Sequence, residues 1–357
     1  MSVRVVHVAS GREWRGGQRQ VWLLARELAR MEEIGQTVVT GAGSELARRL
    51  TESGVHVCPV RWTAGLDPRV VIAALGALRT GGVLLHAHDA HAVTLAGIAA
   101  RIAGRPLVAT RRVDFPLRRR GFWGRADRVI AISGAVAEVL RADGIPPARI
   151  TVVASGISLD DARAAVPLGI RARLGLPASA TIAANVAALV GHKDHATMLR
   201  AGAMLRDALP ELHWVIAGEG PLRAEIERQR QESGLAGRVH LLGHIPEPVR
   251  LIADADVYVM SSNQEGLGTS VLDAMALGIP VASTAAGGLP EILSDGSGLL
   301  VPTGDSAALA DAVRRIVTNR ALGATLIGRA SIAVQRFTAR RMADDMVTVY
   351  RSCASFP

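Results

Sequence analysis

At 357 residues, 49% of them apolar and 3% aromatic, the chain outgrows a single hydrophobic core of about 250–300 residues and reads as two α/β domains, not a β-sandwich. Its net charge of +9 comes without a helix-turn-helix, finger or RNP-type pattern, which excludes nucleic acid as the expected partner. No apolar run of about 18 residues is present to span a membrane, and two cysteines without CxxC or zinc spacing exclude a disulfide framework and fit a reducing cytoplasm.

The opening MSVRVVHVAS reads as a strand over 3–8, without the basic region and long apolar core of a signal peptide. Gly16-Gly17 fall in the loop after it. Helical spacing follows over 20–31, with Val21, Leu24, Leu28 and Met31 on one face. Strands are expected at 37–40, 55–60 and 83–86, the last leading into His88-Asp89 and an alanine-rich helix to Ala103. A strand at 107–110 runs into a basic loop. Another lies at 129–132, with Ser133 as cap for a helix over 135–142, and 150–153 closes the set. After a seam at 154–167, strands recur at 181–187, 213–218, 239–242, 257–260 and 280–283, with a short apolar run at 298–301. Alternating βα units predict two doubly wound, Rossmann-like parallel sheets. The expected domains are 1–160 and 161–338, with a last helix at 339–357 returning to the first domain.

The charge is uneven. Residues 1–160 hold 22 Arg against 13 acids, whereas 161–357 hold 18 Arg and one Lys against 19 acids. The densest stretch is 111–125, RRVDFPLRRRGFWGR. It reads either as a solvated loop or as a patch for lipid head groups or a phosphorylated or acidic acceptor.

Lys193 is the chain's one lysine, in LVGHKDH after the first strand of the second half. A compact ammonium with three rotatable donors sits readily between two phosphates; the plain alternative is an exposed loop lysine. Glu265 follows the strand 257–260 in SSNQEGLGTS. Gly266 and Gly268 permit positive φ and close backbone approach. Thr269 or Ser270 is expected to cap the next helix, whose amides then face a phosphate or sugar oxygen. Asp273 lies one turn on. Gly16-Gly17 offer a similar turn in the first domain. His86 and His88 end a strand where open sheets place ligand residues, or pack against the next helix. His192 and His195 flank Lys193 without a third ligand at metal spacing. No GxSxG, HExxH or P-loop occurs.

These motifs, with Gly218-Glu219-Gly220-Pro221, Gly243-His244 and Gly287-Gly288 through Glu291, resemble the retaining family-4 glycosyltransferases of the GT-B fold. The resemblance covers nearly the whole chain. It implies two domains facing across a cleft and transfer of a hexose from a nucleoside diphosphate sugar, UDP- or GDP-linked, to a hydroxyl of a lipid-linked or anionic glycan. Lys193, Glu265, Arg112 and His88 are the implied catalytic candidates. Gly16, Gly17, Lys193, Glu265, Gly266, Leu267, Gly268, Thr269, Ser270 and Asp273 are the implied donor contacts. No cofactor and no metal are expected. The expected location is the cytoplasm, with peripheral binding to the inner, anionic face of the cytoplasmic membrane. Three departures stand out: Asp273 replaces a usual Glu, Ala188 replaces an arginine five residues before the lysine, and Arg111-Arg112 occupy a place often held by histidine. An arginine of the first domain is expected to supply the missing phosphate cation, and Arg112 is nominated for the donor sugar. A sugar-nucleotide epimerase of the same architecture and a non-catalytic nucleotide-sugar or anionic-lipid binder are the alternatives. A pyridoxal phosphorylase needs a Schiff-base lysine and fits poorly with one lysine already committed.

Overall fold

The computed structural model describes residues 3–354 apart from 12, 63, 64, 80, 82 and 118. Arg118, part of the basic patch expected to meet anionic partners, therefore lies outside the described residues. The chain divides into two units, 1–158 with 337–357, and 159–336.

The first unit is built on seven strands: β1 (Val3–Ala9), β2 (Ile34–Gly41), β3 (Val57–Val60), β4 (Leu84–Ala87), β5 (Leu107–Arg111), β6 (Arg128–Ala131) and β7 (Ile150–Val152). They pair in parallel in the order β3-β2-β1-β4-β5-β6-β7. The second unit has six: β8 (Thr181–Val186), β9 (Leu212–Ala217), β10 (Val239–Gly243), β11 (Val257–Met260), β12 (Val281–Thr284) and β13 (Leu299–Val301). Their order is β10-β9-β8-β11-β12-β13, again parallel. Helices cover both faces of such sheets, so the central strands read as continuous apolar runs rather than alternating ones. β9 and β11 are buried at every residue.

Strand order reverses between β1 and β4 in one sheet and between β8 and β11 in the other. At such a reversal the two neighbouring crossovers leave on opposite faces, opening a crevice at the carboxyl ends of the strands. The loops after β1, β4, β8 and β11 therefore decide what each unit can bind.

The last helix, Ala339–Ala354, belongs to the first unit. Its Met342, Met346, Tyr350 and Cys353 recur at helical spacing and are buried with Leu24 and Leu28 of the helix Gly16–Leu28. Each such side chain contributes roughly 1.5–3 kcal/mol of burial. The chain's two passages at this point are pinned together: Ile157 N donates to Phe337 O at 2.9 Å and Ala339 N to Ile157 O at 2.7 Å. The buried Gln20 amide closes the same corner, donating to Gly156 O at 2.8 Å and accepting from Gly156 N at 3.1 Å. A Cβ on Gly156 would lie 2.6 Å from the Ala339 Cα, so this approach requires glycine.

One local expectation is corrected. Gly16 and Gly17 do not form a loop; they are the first residues of the helix Gly16–Leu28. Low helix propensity argued against this, but at the first turn the amides lack intrahelical partners anyway, so glycine loses little there.

Candidate functional site

In the second unit the loops after β8 and β11 meet at the strand-order reversal. Lys193 closes a short 3-10 turn, Gly191–Lys193, and Glu265 lies in the loop after β11. Their side chains form an ion pair from Lys193 Nζ to Glu265 Oε2, with only 17% and 13% of each side chain exposed. The loops are stitched by two backbone bonds, Asn263 N to His192 O at 2.9 Å and Gly288 N to Glu265 O at 3.0 Å, and by the Ser261 hydroxyl donating to Lys193 O at 3.0 Å. Gly287-Gly288 after β12 thus hold the Glu265 backbone. Asp194, with φ 45, is the described non-glycine residue in the left-handed region. Its carboxylate accepts from Thr197 N at 3.2 Å and caps the helix His195–Leu205.

The helix Thr269–Ala276 starts beside this pair. The expected cap by Thr269 or Ser270 is not formed: the N-cap is Gly268 at φ 92, without a side-chain bond. Ser270 Oγ instead donates to Val186 O at 3.4 Å, at the end of β8. The helix amides are left to a ligand, which is what an anion at a helix N-terminus uses. Asp273 is buried one turn in, and Leu267 is buried in the loop; Gly266 sits next to Glu265. Gly218, φ 154, has the Ala187 carbonyl 1.8 Å from where a Cβ would sit, so GEGP packs its backbone directly under the loop that carries Ala188 and Lys193.

In the first unit the reversal lies between β1 and β4. Asp89 bridges the two loops. It accepts from Ser10 N at 2.7 Å and from Ser10 Oγ, and caps the helix Ala90–Ala103 by accepting from Ala92 N at 2.9 Å. Behind it three histidines, His7, His86 and His88, are buried with ring nitrogens within 4.8 Å of one another. Arg112, just past β5, donates from Nη2 to His88 Nδ1 at 3.3 Å. A guanidinium only donates, so His88 carries its proton on Nε2 and donates to His7 Nδ1 at 2.9 Å. That leaves His7 Nε2 as a buried N–H with no partner. His86 pairs with Tyr350 Oη and Thr110 Oγ1, each at 2.7 Å. Burial pushes the His7 imidazole down to about 3 and holds His86 and His88 well below the ordinary range, so all three are neutral at pH 7. Burial also pulls the Arg112 guanidinium down to about 10, where it is still charged.

Neutral imidazoles are metal ligands in principle, but this cluster fits one poorly. Every ring nitrogen except His7 Nε2 already has a hydrogen-bond partner, and the Arg112 cation stands at His88. In the second unit His195 is buried with both ring nitrogens unpartnered among the described residues, burial bringing it to about 4.

A pocket of ≈ 220 Å³ opens beside Arg112, lined by Ala9, Gly17, Gln18, His88, Arg111 and Trp123 among others. The structure thus brings Gly17, His88 and Arg112 to one site, and Lys193, Glu265 and the 268–273 segment to another. Sequence reasoning missed His7, Thr110 and Tyr350, and took Trp123 only as part of the arginine-rich stretch 111–125. The available signal was a histidine inside VRVVHVA, a strand whose neighbours mark it as buried on both faces.

Comparison with known proteins follows the same division. A family model for Glycosyltransferase Family 4 matches residues 14–161 and one for glycosyl transferases group 1 matches residues 169–331. The Anabaena protein Alr3699/HepE, solved with UDP-glucose, superposes with a TM-score of 0.83 at 21% identity, over 98% of this chain and 99% of that one. The fold is GT-B, and the chain belongs to glycosyltransferase family 4. Among curated relatives it is 32% identical to a D-inositol 3-phosphate glycosyltransferase of Saccharomonospora viridis over 63% of this chain and 56% of the relative. It is 33% identical to the lipopolysaccharide core biosynthesis glycosyltransferase LpsE of Rhizobium meliloti over 44% and 46%. The chain spans about half the length of the curated relatives it matches.

Proposed function

We propose that the protein transfers a hexose from a nucleoside diphosphate sugar to an acceptor hydroxyl, with retention at the anomeric carbon. The observation that carries this reading is the Lys193–Glu265 pair at the β8/β11 reversal, beside the uncapped helix Thr269–Ala276. Breaking the sugar–phosphate bond builds charge on the leaving diphosphate. Lys193 and the amides of Gly268, Thr269 and Ser270 are pre-set to receive it, the arrangement that lowers such barriers most. Glu265 then serves twice: its carboxylate fixes the ammonium and accepts hydrogen bonds from the sugar hydroxyls. Asp273 takes the ribose. The leaving phosphate itself takes the acceptor proton, so no protein nucleophile and no cofactor or metal is invoked.

A UDP-linked donor is favoured over a GDP-linked one, since the neighbouring Anabaena structure holds UDP-glucose. Names of the relatives, among them a phosphatidyl-myo-inositol mannosyltransferase of Mycobacterium leprae, support a glycan or glycolipid acceptor. No helix of the described residues is long and apolar enough to cross a membrane. Exposed Arg119 and Arg120 are proposed to hold the protein on an anionic surface; changing both to Glu should abolish binding to phosphatidylglycerol vesicles. Unaltered vesicle binding would remove the membrane from the reading.

The decisive experiment is a calorimetric screen of UDP-, GDP- and ADP-sugars followed by product analysis. Binding of one donor and its acceptor-dependent consumption, with an α-linked product from an α-linked donor, is the expected result. A rearranged nucleotide sugar without acceptor would instead identify an epimerase, and binding without any turnover a non-catalytic receptor.

A further inference from the structure

The pocket in the first unit contains a cation that no acid meets directly among the described residues. Arg112 makes one hydrogen bond, to the neutral His88, and no ion pair among the described residues. Its Nε is buried without a partner, as is that of Arg111, which otherwise donates to Phe115 O at 2.6 Å. Asp89, the acid in the pocket lining, attracts Arg112 only through space, its two oxygens being hydrogen-bonded to Ser10 and to the Ala92 amide. Buried charges in folded proteins are almost always paired, because an isolated one forfeits its hydration. The histidines behind Arg112 cannot take that place: all three are neutral, and His88 is locked as the acceptor that orients the guanidinium.

Other features of the pocket select for an anion. Gly17 and Gln18 line it from the first turn of the helix Gly16–Leu28, whose N-cap makes no side-chain bond and whose first turn holds no acid. The helix dipole there favours negative charge. Ala9, Val21, Ala90, Val113 and Trp123 form the apolar part of the lining, which strengthens an ion pair by lowering the local dielectric. At ≈ 220 Å³ the pocket is smaller than the roughly 300–1,000 Å³ that buries a whole small ligand. It takes one end of a substrate.

We infer that this pocket is an oxyanion subsite, in which the Arg112 fork, backed by the Gly17 and Gln18 amides, selects a sugar substrate carrying a carboxylate or a phosphate monoester. Arg112 is thereby a specificity-determining residue, with His88 and His7 as positioning residues behind it. The inference rests on the transfer reading only in taking the ligand to be a substrate. A guanidinium meets either oxyanion through two parallel N–H···O bonds, which a lysine or a histidine in the same place would not provide.

The test uses the full chain carrying Lys193→Ala, which removes the ammonium proposed for the donor diphosphate. Inorganic phosphate, glucuronate and glucose are titrated by calorimetry. Phosphate and glucuronate should bind and glucose should not, and Arg112→Gln should weaken the anions at least tenfold. A second variant guards against a folding defect. A Cβ on Gly17 meets only the Arg112 Cδ, at 3.9 Å, so Gly17→Asp has room for its side chain's first carbon and places a carboxylate where the ligand anion would sit. It should block anion binding while keeping the native circular dichroism. Anion affinity within twofold of the parent in both variants would overturn the inference. The source of the anion is then read from the otherwise wild-type protein. If Arg112→Gln weakens UDP-glucuronate but spares UDP-glucose, the oxyanion belongs to the donor sugar; if it spares both while phosphate or glucuronate binding is still lost, it belongs to the acceptor. Weakening of UDP itself to the same degree would show a diphosphate contact only and also overturn it. Should no nucleotide sugar bind at all while Arg112-dependent anion binding persists, the transfer reading fails and the subsite stands.

Discussion

The two units share a plan and differ in how they hold charge at the same topological position. At the β8/β11 reversal an ammonium is balanced by a carboxylate from the neighbouring loop, with most of both side chains out of water. At the β1/β4 reversal a guanidinium donates to a neutral imidazole and has no acid bound to it among the described residues. A balanced pair fixes geometry and can exchange one partner for a ligand. An unbalanced charge depends on the ligand for its complement. The comparison explains why a doubly wound sheet serves both purposes: the switch point supplies the crevice, and a handful of loop residues decide its electrostatics.

The largest effect that would break the comparison is on Lys193. Lys193→Ala should reduce transfer by roughly 2–4 kcal/mol in kcat/KM, the usual cost of a preorganised donor, measured with the donor found in the screen. A rate unchanged within twofold would mean that the ammonium is structural. Next comes acid. Histidines with depressed folded pKa values favour the unfolded state once pH falls below the unfolded value of about 6.5. The stability they permit is complete above that pH and is lost as pH falls toward about 3 for His7, at up to roughly 1.4 kcal/mol per pH unit for each buried ring. The first unit buries three such rings. In the second, His195 and His213 are buried, the shift at His213 being the weaker, while His240 is partly exposed and contributes less through solvent screening. Chemical denaturation at pH 7 and pH 5, followed unit by unit with hydrogen exchange, should show the first unit losing more. Equal losses would dissolve this contrast.

Smaller is the loss expected from Tyr350→Phe, which leaves His86 Nδ1 without its partner at 2.7 Å. A buried group left unsatisfied costs about 1–3 kcal/mol, readable as a shift of the urea midpoint with the slope unchanged. Smallest is Asp194→Asn, which retains both the left-handed backbone and the cap on Thr197; a change within about 0.5 kcal/mol is expected. Asp194→Ala, which removes the cap and strains φ 45, should cost visibly more. Equal stabilities for the two would show that the cap contributes nothing.

Much of the second unit was legible because its chemistry is local. Lys193 ends one short loop and Glu265 to Asp273 span one loop and one helical turn, so glycine positions and a single lysine sufficed to mark them. The capping expectation at Thr269 and Ser270 failed because Ser270 found a partner at the end of β8, a contact that no local pattern encodes. The first unit was less legible. Arg112 and His88 stood out by their place after strands. His88 is held by His7 from β1, and His86 by Thr110 from β5 and by Tyr350, 264 residues away in the chain. Gly16 and Gly17 were read as a turn because intrinsic propensity outweighs context in a sequence, while a first helical turn makes little demand on it.

Sequence by itself determined the element types, the two-domain plan and the place of the lysine and its loop acids, because buried parallel strands and glycine-bearing strand ends leave periodic, local traces. Tertiary structure alone decided the protonation pattern of the three histidines, the isolation of the Arg112 charge and the seating of the last helix over them. Burial and pairing set those properties, and both are produced by residues that are distant in the chain.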